Sequence, residues 1–294
     1  MNKEDKYDAL GQRMKRYEEV ANGQLLIPDL PLYARIDGRH FSKLTKNLGY
    51  PFKDLPEDKR SFVFAQLMQM TAHDLMEEFK CDVAETHSDE ISLGWKNIKT
   101  APFDGKYFKL ISNIASFAGM AFYKNIVNCN DRFNTRLQLE IKDLQTLADS
   151  TPSFDCRIVQ VPDLMELVNC FIWRQNDCIR GAINQYAQRW FSHKELLGKS
   201  QEDRINMLVA AGHALDNIDL NILYGHWLVK KTSIENIDLK YAKFHPGETT
   251  IVRTKIVPLN LSYRLAADNN KVETLFPNNK NTDEIADDII NVNF

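Results

Sequence analysis

The sequence has no closely spaced cysteine pair, no long apolar run and no surplus of positive charge, and each absence removes a class of function. Its 5 cysteines, Cys81, Cys129, Cys156, Cys170 and Cys178, are scattered without a C-x-x-C pair. That spacing indicates neither a zinc site nor a disulfide framework, and it suits a reducing compartment. No stretch approaches the ~20 apolar residues needed to cross a bilayer, and the start is charged (Lys3, Glu4, Asp5, Lys6). A cytoplasmic protein without a membrane partner is expected. A net charge of −3 exerts no global pull on a polyanion. Any nucleic-acid contact must then come from a local basic patch or an oligomer groove. No convincing Ser-His-Asp or Cys-His set is present. Gly198-Lys199-Ser200 lacks the earlier glycine and the preceding strand of a P-loop, and reads as a loop after a helix.

What is there suits a folded chain: 294 residues with 44% hydrophobic content, enough for one large domain or two modest ones. Helical spacing predicts an amphipathic helix over residues 5–21, with Leu10, Met14, Tyr17 and Val20 on its apolar side. Further helices are expected from Phe41, over 61–79, from about Tyr107 to Tyr123, over 163–188 and over 201–214. A charged, proline-bearing loop is expected over 51–59. Strands are expected at Tyr33–Ile36, around Ile91 and Leu93, over 154–161, within 220–231 and within 241–257. His213, His226 and His245 stand alone, as packing or surface histidines do. From Asp268 the composition shifts to Asn, Asp and Glu, the mark of a tail or a loosely attached extension.

Two stretches organise the rest. In Tyr33–Phe41, YARIDGRHF, a short strand is expected to break at Asp37-Gly38, presenting a carboxylate at its end. In Glu85–Leu93, ETHSDEISL, Asp89 and Glu90 stand where a turn enters a strand. Two acidic groups on neighbouring strands, with a glycine that lets backbone approach a ligand, are what a pair of Mg²⁺ ions carrying a nucleoside triphosphate requires. The plain alternatives are a hairpin at Asp-Gly and a solvated turn or cap at Ser-Asp-Glu.

ARIDGRHF and THSDEISL, in this order, resemble the metal-binding strands of the tRNA-His guanylyltransferase family, the 3′-to-5′ nucleic acid polymerases. The pattern continues in FKLISNIAS (Phe108–Ser116), FDCR (Phe154–Arg157) followed by Pro162, and WRQNDC (Trp173–Cys178). The resemblance implies an α+β fold: a palm-like, ferredoxin-like antiparallel sheet with helices on one face, followed by a largely helical part. Its expected divisions are 1–162 (catalytic), 163–266 (accessory) and 267–294 (tail). It implies two Mg²⁺ ions on Asp37, the Gly38 carbonyl and Asp89, with Glu90 acting nearby. Arg39, His40, Phe41, Ser42, Ser88, Lys109 and Ser112 would bind the nucleotide, with ATP or GTP as substrates. Arg174, Gln175, Asp177, Lys194 and Lys199 would contact RNA. Where guanosine-adding members carry a HINNLYNT-type segment after WRQxD, this sequence reads IRGAINQYAQRWFSHKELLGKS (Ile179–Ser200). That segment resembles bacterial and archaeal relatives that repair truncated 5′ ends of tRNA. The function implied is templated 5′-end repair of a tRNA or tRNA-like RNA by a homo-oligomer, a tetramer in relatives. A nucleotide cyclase or small-molecule nucleotidyltransferase on the same palm, or a non-catalytic RNA-binding relative, are the alternatives.

Overall fold

The computed structural model describes residues 4–41, 57–99, 102–133, 151–236 and 250–277. Ser42, the expected helix beyond Phe41, the loop residues 51–56, His245 and the end of the chain from residue 278 lie outside the described residues. In chain order the elements are α1 (Glu4–Asn22), β1 (Leu32–Arg39), α2 (Glu57–Phe79), β2 (Val83–His87), β3 (Glu90–Trp95), α3 (Tyr107–Phe133) and β4 (Ser153–Gln160). There follow α4 (Leu164–Trp190), α5 (His193–Leu196), α6 (Gln201–Ala210), α7 (Leu220–Tyr224), β5 (His226–Asn236), β6 (Thr250–Leu259) and α8 (Lys271–Leu275). The chain forms two units, Met1–Cys81 with Ser88–Leu167, and Asp82–His87 with Val168–Phe294. The second unit thus takes β2 from the middle of the stretch expected to be a single catalytic part.

In the first unit β1 lies between β3 and β4 and runs antiparallel to both. Alternation, strict in β4, makes this possible: Leu32, Ala34 and Ile36 of β1 and Phe154, Cys156 and Ile158 of β4 are buried, while Asp155 and Arg157 of β4 are exposed. Side chains of one strand point to opposite faces by turns, so each strand offers an apolar side and a polar one. The apolar side is covered by Leu67, Met68, Leu75 and Met76 of α2 and Leu110, Ile114, Ala118 and Phe122 of α3, at the three- and four-residue steps of a buried helix face. The expected break at Asp37-Gly38 does not occur. β1 runs on to Arg39 because β4 supplies partners there, Phe154 for Gly38 and Ser153 for Arg39. Residues 57–59, expected in a loop, are the first turn of α2. The apolar side of α1 forms as expected but is exposed, Tyr17 at 64% and Val20 at 89%.

In the second unit β5 pairs antiparallel with both β2 and β6. Its core gathers Ile179, Ile183 and Ala187 of α4 with Leu196, Leu208 and Leu223. The strand expected over 220–231 begins late, since Leu220–Tyr224 is a helical turn. Asp219 caps it by accepting from the Asn221 N–H at 2.8 Å, and Gly225 at φ 84 ends it. Only a residue without a Cβ adopts that conformation freely. Ser200 of the Gly-Lys-Ser stretch is a helix cap. It accepts from the Asp203 N–H, and the Asp203 carboxylate accepts from the Ser200 N–H at 2.9 Å. The Ser200 N–H and then the Ser200 hydroxyl, which donates to the same carboxylate at 2.8 Å, hold the Asp203 carboxyl below the usual carboxylate range. His213 stacks on Trp190 with ring centroids 3.5 Å apart, a packing histidine as expected. Within the segment expected to be a tail, α8 is helical, and Leu275 and Phe276 are buried.

Gln175 sits at the heart of this unit, 1% exposed. Its amide nitrogen donates to the carbonyls of Tyr224 and Tyr263, and its amide oxygen accepts from the Leu265 N–H at 2.7 Å. The RNA contact expected of Gln175 is therefore corrected: buried amide groups joined to buried backbone hold the fold together. Gln175→Ala is expected to lower stability by about 3 kcal/mol, because three backbone groups lose their partner away from water. Urea unfolding of the purified variant measures it.

Candidate functional site

The polar side of β1, β3 and β4 carries the chemistry. Asp37 faces Glu90 across one pairing and Asp155 across the other. Asp89 belongs to the two-residue connection Ser88-Asp89 ahead of β3, where Ser88 takes a left-handed φ of 50. Its backbone carbonyl accepts from the Gly38 N–H at 2.9 Å. One hydrogen bond thus ties the two acidic stretches at their tips and sets the backbones of Asp37, Asp89 and Glu90 side by side.

Arg35 lies two residues before Asp37 and shares its face. Its guanidinium stands 3.9 Å from Asp37 Oδ2 and 3.8 Å from Glu90 Oε2. These are long pairs, beyond hydrogen-bond reach, so Arg35 acts on these two carboxylates through its charge. On β4, Arg157 stands 3.4 Å from Asp155. Arg35, Asp155 and Arg157 were not singled out from the sequence. The signal was there in the two-residue repeat of Arg-x-Asp on β1 and Asp-x-Arg on β4, which puts each pair on one face. Carboxylates on neighbouring strands, Asp37 and Asp155 reached by solvent and Glu90 buried, are the oxygen donors that suit a hard dication such as Mg²⁺. Cys156, between Asp155 and Arg157, points the other way. Burial, reinforced by the Asp155 charge, pushes its thiol up to about 12. Only about 1 in 10⁴ of such thiols is ionised at pH 8, so Cys156 is expected to resist iodoacetamide in the native protein, as peptide mass mapping would show.

Gly38 serves packing more directly than ligand approach. A Cβ added there would meet the Phe41 ring at 2.5 Å. Phe41 itself is 1% exposed, with its ring centroid 4.9 Å from Phe154, 5.3 Å from Phe122 and 5.9 Å from Phe64. The nucleotide contact expected of the Phe41 side chain is corrected: the ring anchors the chain from within the core as it leaves β1. Arg39 and His40, exposed beside it, are the groups presented outward, His40 in a left-handed turn at φ 62. Lys109 and Ser112 share the exposed side of α3, where Ser112 Oγ donates to the Lys109 carbonyl and Lys109 Nζ stands 5.7 Å from the Phe103 ring. A concavity bordered by α2, α3 and the start of β4 has Asp74, Glu77, Lys80 and Met120 on its wall, and none of Asp37, Asp89, Glu90 or Lys109.

Of the residues expected to touch RNA, Arg174 is 7% exposed. It stacks on Trp173 and pairs with Asp177 at 2.5 Å, which makes it a local brace rather than an open contact. Asp177 also pairs with Arg180. Lys194 and Lys199 are exposed. On β5 and β6, Lys231 lies opposite Lys255 and Ser233 opposite Arg253, so these cations share a face of the ribbon.

An antiparallel sheet with helices on one side and acidic residues on neighbouring strands is the form of a palm-type nucleotidyltransferase. Residues 11–162 match the family described as tRNAHis guanylyltransferase. The chain belongs to this family of nucleotidyltransferases acting on tRNA. An uncharacterized protein of Acanthamoeba polyphaga mimivirus is 28% identical over 275 residues, 87% of this chain and 86% of its own. The tRNA(His) guanylyltransferase of Debaryomyces hansenii is 31% identical over 167 residues, 56% of each chain. The chain thus spans about half the length of the curated guanylyltransferases it matches. Among solved structures, a bacterial tRNA(His) guanylyltransferase-like protein in complex with ATP superposes with a TM-score of 0.64, at 23% identity over 92% of this chain and 100% of that one. That likeness bears on the fold. No helix among the described residues is long and apolar enough to cross a membrane.

Proposed function

We propose that this chain adds nucleotides in the 3′-to-5′ direction to the 5′ end of a tRNA or tRNA-like RNA, repairing truncated ends by templated addition rather than adding only a guanosine to tRNA-His. The observation that carries the reading is the tie between the two acidic stretches. Asp37 opposes Glu90, and the Gly38 N–H is bonded to the Asp89 carbonyl. Asp37, the Gly38 carbonyl and Asp89 would hold two Mg²⁺ ions, which supply charge neutralisation on a triphosphate and a lowered pKa for an attacking hydroxyl. The chain's own residues do the positioning. Arg39 and His40, exposed at the end of β1, present donors to phosphate oxygens, with Ser88, Lys109 and Ser112 as further nucleotide contacts. Arg35 keeps the carboxylates apart and their charge in balance. The 5′ phosphate is activated with ATP or GTP. The 3′-hydroxyl of the incoming nucleotide then attacks that phosphate and displaces the activating nucleoside monophosphate, pyrophosphate having left in the first step, and the opposite strand selects the base.

With an overall charge of −3, RNA must be held locally. Lys231, Arg253 and Lys255 on one face of the β5–β6 ribbon, with Lys194 and Lys199, suit that task, since cations grouped on one face attract a phosphate backbone. We also read the protein as a cytoplasmic homo-oligomer, a tetramer by resemblance. The exposed apolar side of α1 is what a neighbouring copy would cover, and light scattering showing a monomer would contradict this.

The test is extension of a 5′-truncated, 5′-monophosphorylated tRNA with ATP, Mg²⁺ and all four NTPs. Growth at the 5′ end that restores the paired nucleotide is expected. Absence of growth with every tRNA tried would overturn the reading, and turnover of nucleotide without RNA would favour a cyclase.

A further inference from the structure

We propose that Glu85, His87 and Cys178 form a metal site for Zn²⁺ or a comparable borderline-soft dication within the second unit, made of residues other than the proposed Mg²⁺ ligands. Glu85 and His87 project from β2 at a two-residue step, which puts them on one face. Cys178 comes from the middle of α4. One ligand atom from each lies within 4.8 Å of the other two. Thiolate, imidazole and carboxylate together are a zinc-type donor set, and in a tetrahedral site such donors stand about 3.5 Å apart. Closing around an ion therefore asks for movements on the order of 1 Å.

The independent observation is the state of Glu85. Its side chain is 0% exposed. Oε1 accepts from or shares a proton with His87 Nδ1 at 2.7 Å, while Oε2 is buried with no hydrogen-bond partner. A buried carboxylate oxygen without a partner is costly, and a dication is the group that repays it most fully. Cys178 is buried beside it, its Sγ donating to the Ile222 carbonyl at 3.4 Å. On binding, that thiol proton passes to solvent and the sulfur turns to the ion. Gly225 preserves the room: an added Cβ there would stand 2.5 Å from Glu85 Oε1, at a φ of +84. The site would pin β2 to α4 and so act as a structural clamp. It was invisible to cysteine spacing because its one cysteine lies on α4, more than ninety residues from the Glu85 and His87 of β2.

The test uses the full chain, stripped by a chelator and titrated with Co²⁺, then Zn²⁺. One equivalent of Co²⁺ per chain is expected, with a thiolate-to-cobalt charge-transfer band that Zn²⁺ displaces and that Cys178→Ser abolishes. Glu85→Gln is expected to weaken binding by about 100-fold, whereas Asp37→Ala leaves the band in place. In the wild type, saturating Zn²⁺ is expected to raise the melting temperature by roughly 5 °C, and in Cys178→Ser not at all. A band that survives Cys178→Ser, binding that disappears with Asp37→Ala, or no stoichiometric Co²⁺ would overturn the proposal. The last result would leave Glu85 Oε2 to an internal water.

Discussion

Asp37→Ala is expected to remove 5′-end nucleotide addition, by about 10³-fold or more, while leaving the fold intact. The two halves of that expectation have separate causes. Asp37 is partly exposed, and its ion pair with Arg35 is 3.9 Å long. Such a pair contributes well under ~1 kcal/mol once solvent screens it. Its backbone stays in β1 whichever side chain it carries, paired with Glu90 and Asp155. The carboxylate, by contrast, is the group the proposed mechanism needs to hold Mg²⁺ against phosphate charge. Asp89→Ala is expected to behave alike, because the bond from the Gly38 N–H goes to the Asp89 backbone carbonyl and survives the change. Melting temperature and extension rate, measured on the same preparations, separate loss of chemistry from loss of structure. Normal extension by Asp37→Ala would remove this carboxylate from the mechanism.

Phe41→Ala should be the most damaging substitution to stability near the site, by about 4 kcal/mol, or roughly 10 °C in melting temperature. The ring is 1% exposed and meets three other phenylalanine rings, so its removal leaves a cavity that rigid neighbours fill poorly. Gly38→Ala attacks the same contact from the other side. Its new methyl would overlap a ring already fixed by Phe64, Phe122 and Phe154, at about 1–3 kcal/mol. The two changes should couple. In a Phe41→Leu background the added methyl finds room, and Gly38→Ala should cost less than it does alone. Thermal melts of the four proteins give the coupling directly. Phe41→Ala with an unchanged melting temperature and weakened triphosphate binding would restore Phe41 to the nucleotide.

The sequence by itself determined a good deal. Period-two alternation marked β1, β3 and β4, three- and four-residue spacing marked α2, α3 and α4, and the acidic motifs fell on β1 and at the entry to β3. These are local regularities, set by the direction of successive side chains, and need no distant partner to be read. The family was legible too, because its motifs are short and contiguous.

Tertiary structure decided the rest. Whether Asp37-Gly38 ends a strand depends on β4, which arrives more than a hundred residues later and carries the pairing on to Arg39. Whether Phe41 and Gln175 meet a ligand or the core depends on which side chains surround them, and burial assigned both to packing. The convergence of Glu85, His87 and Cys178 has no trace in spacing, since a strand and a distant helix supply the donors. Contacts between residues far apart in the chain are made by the fold alone, and it was those contacts that sorted side chains of like chemistry into structural and functional ones.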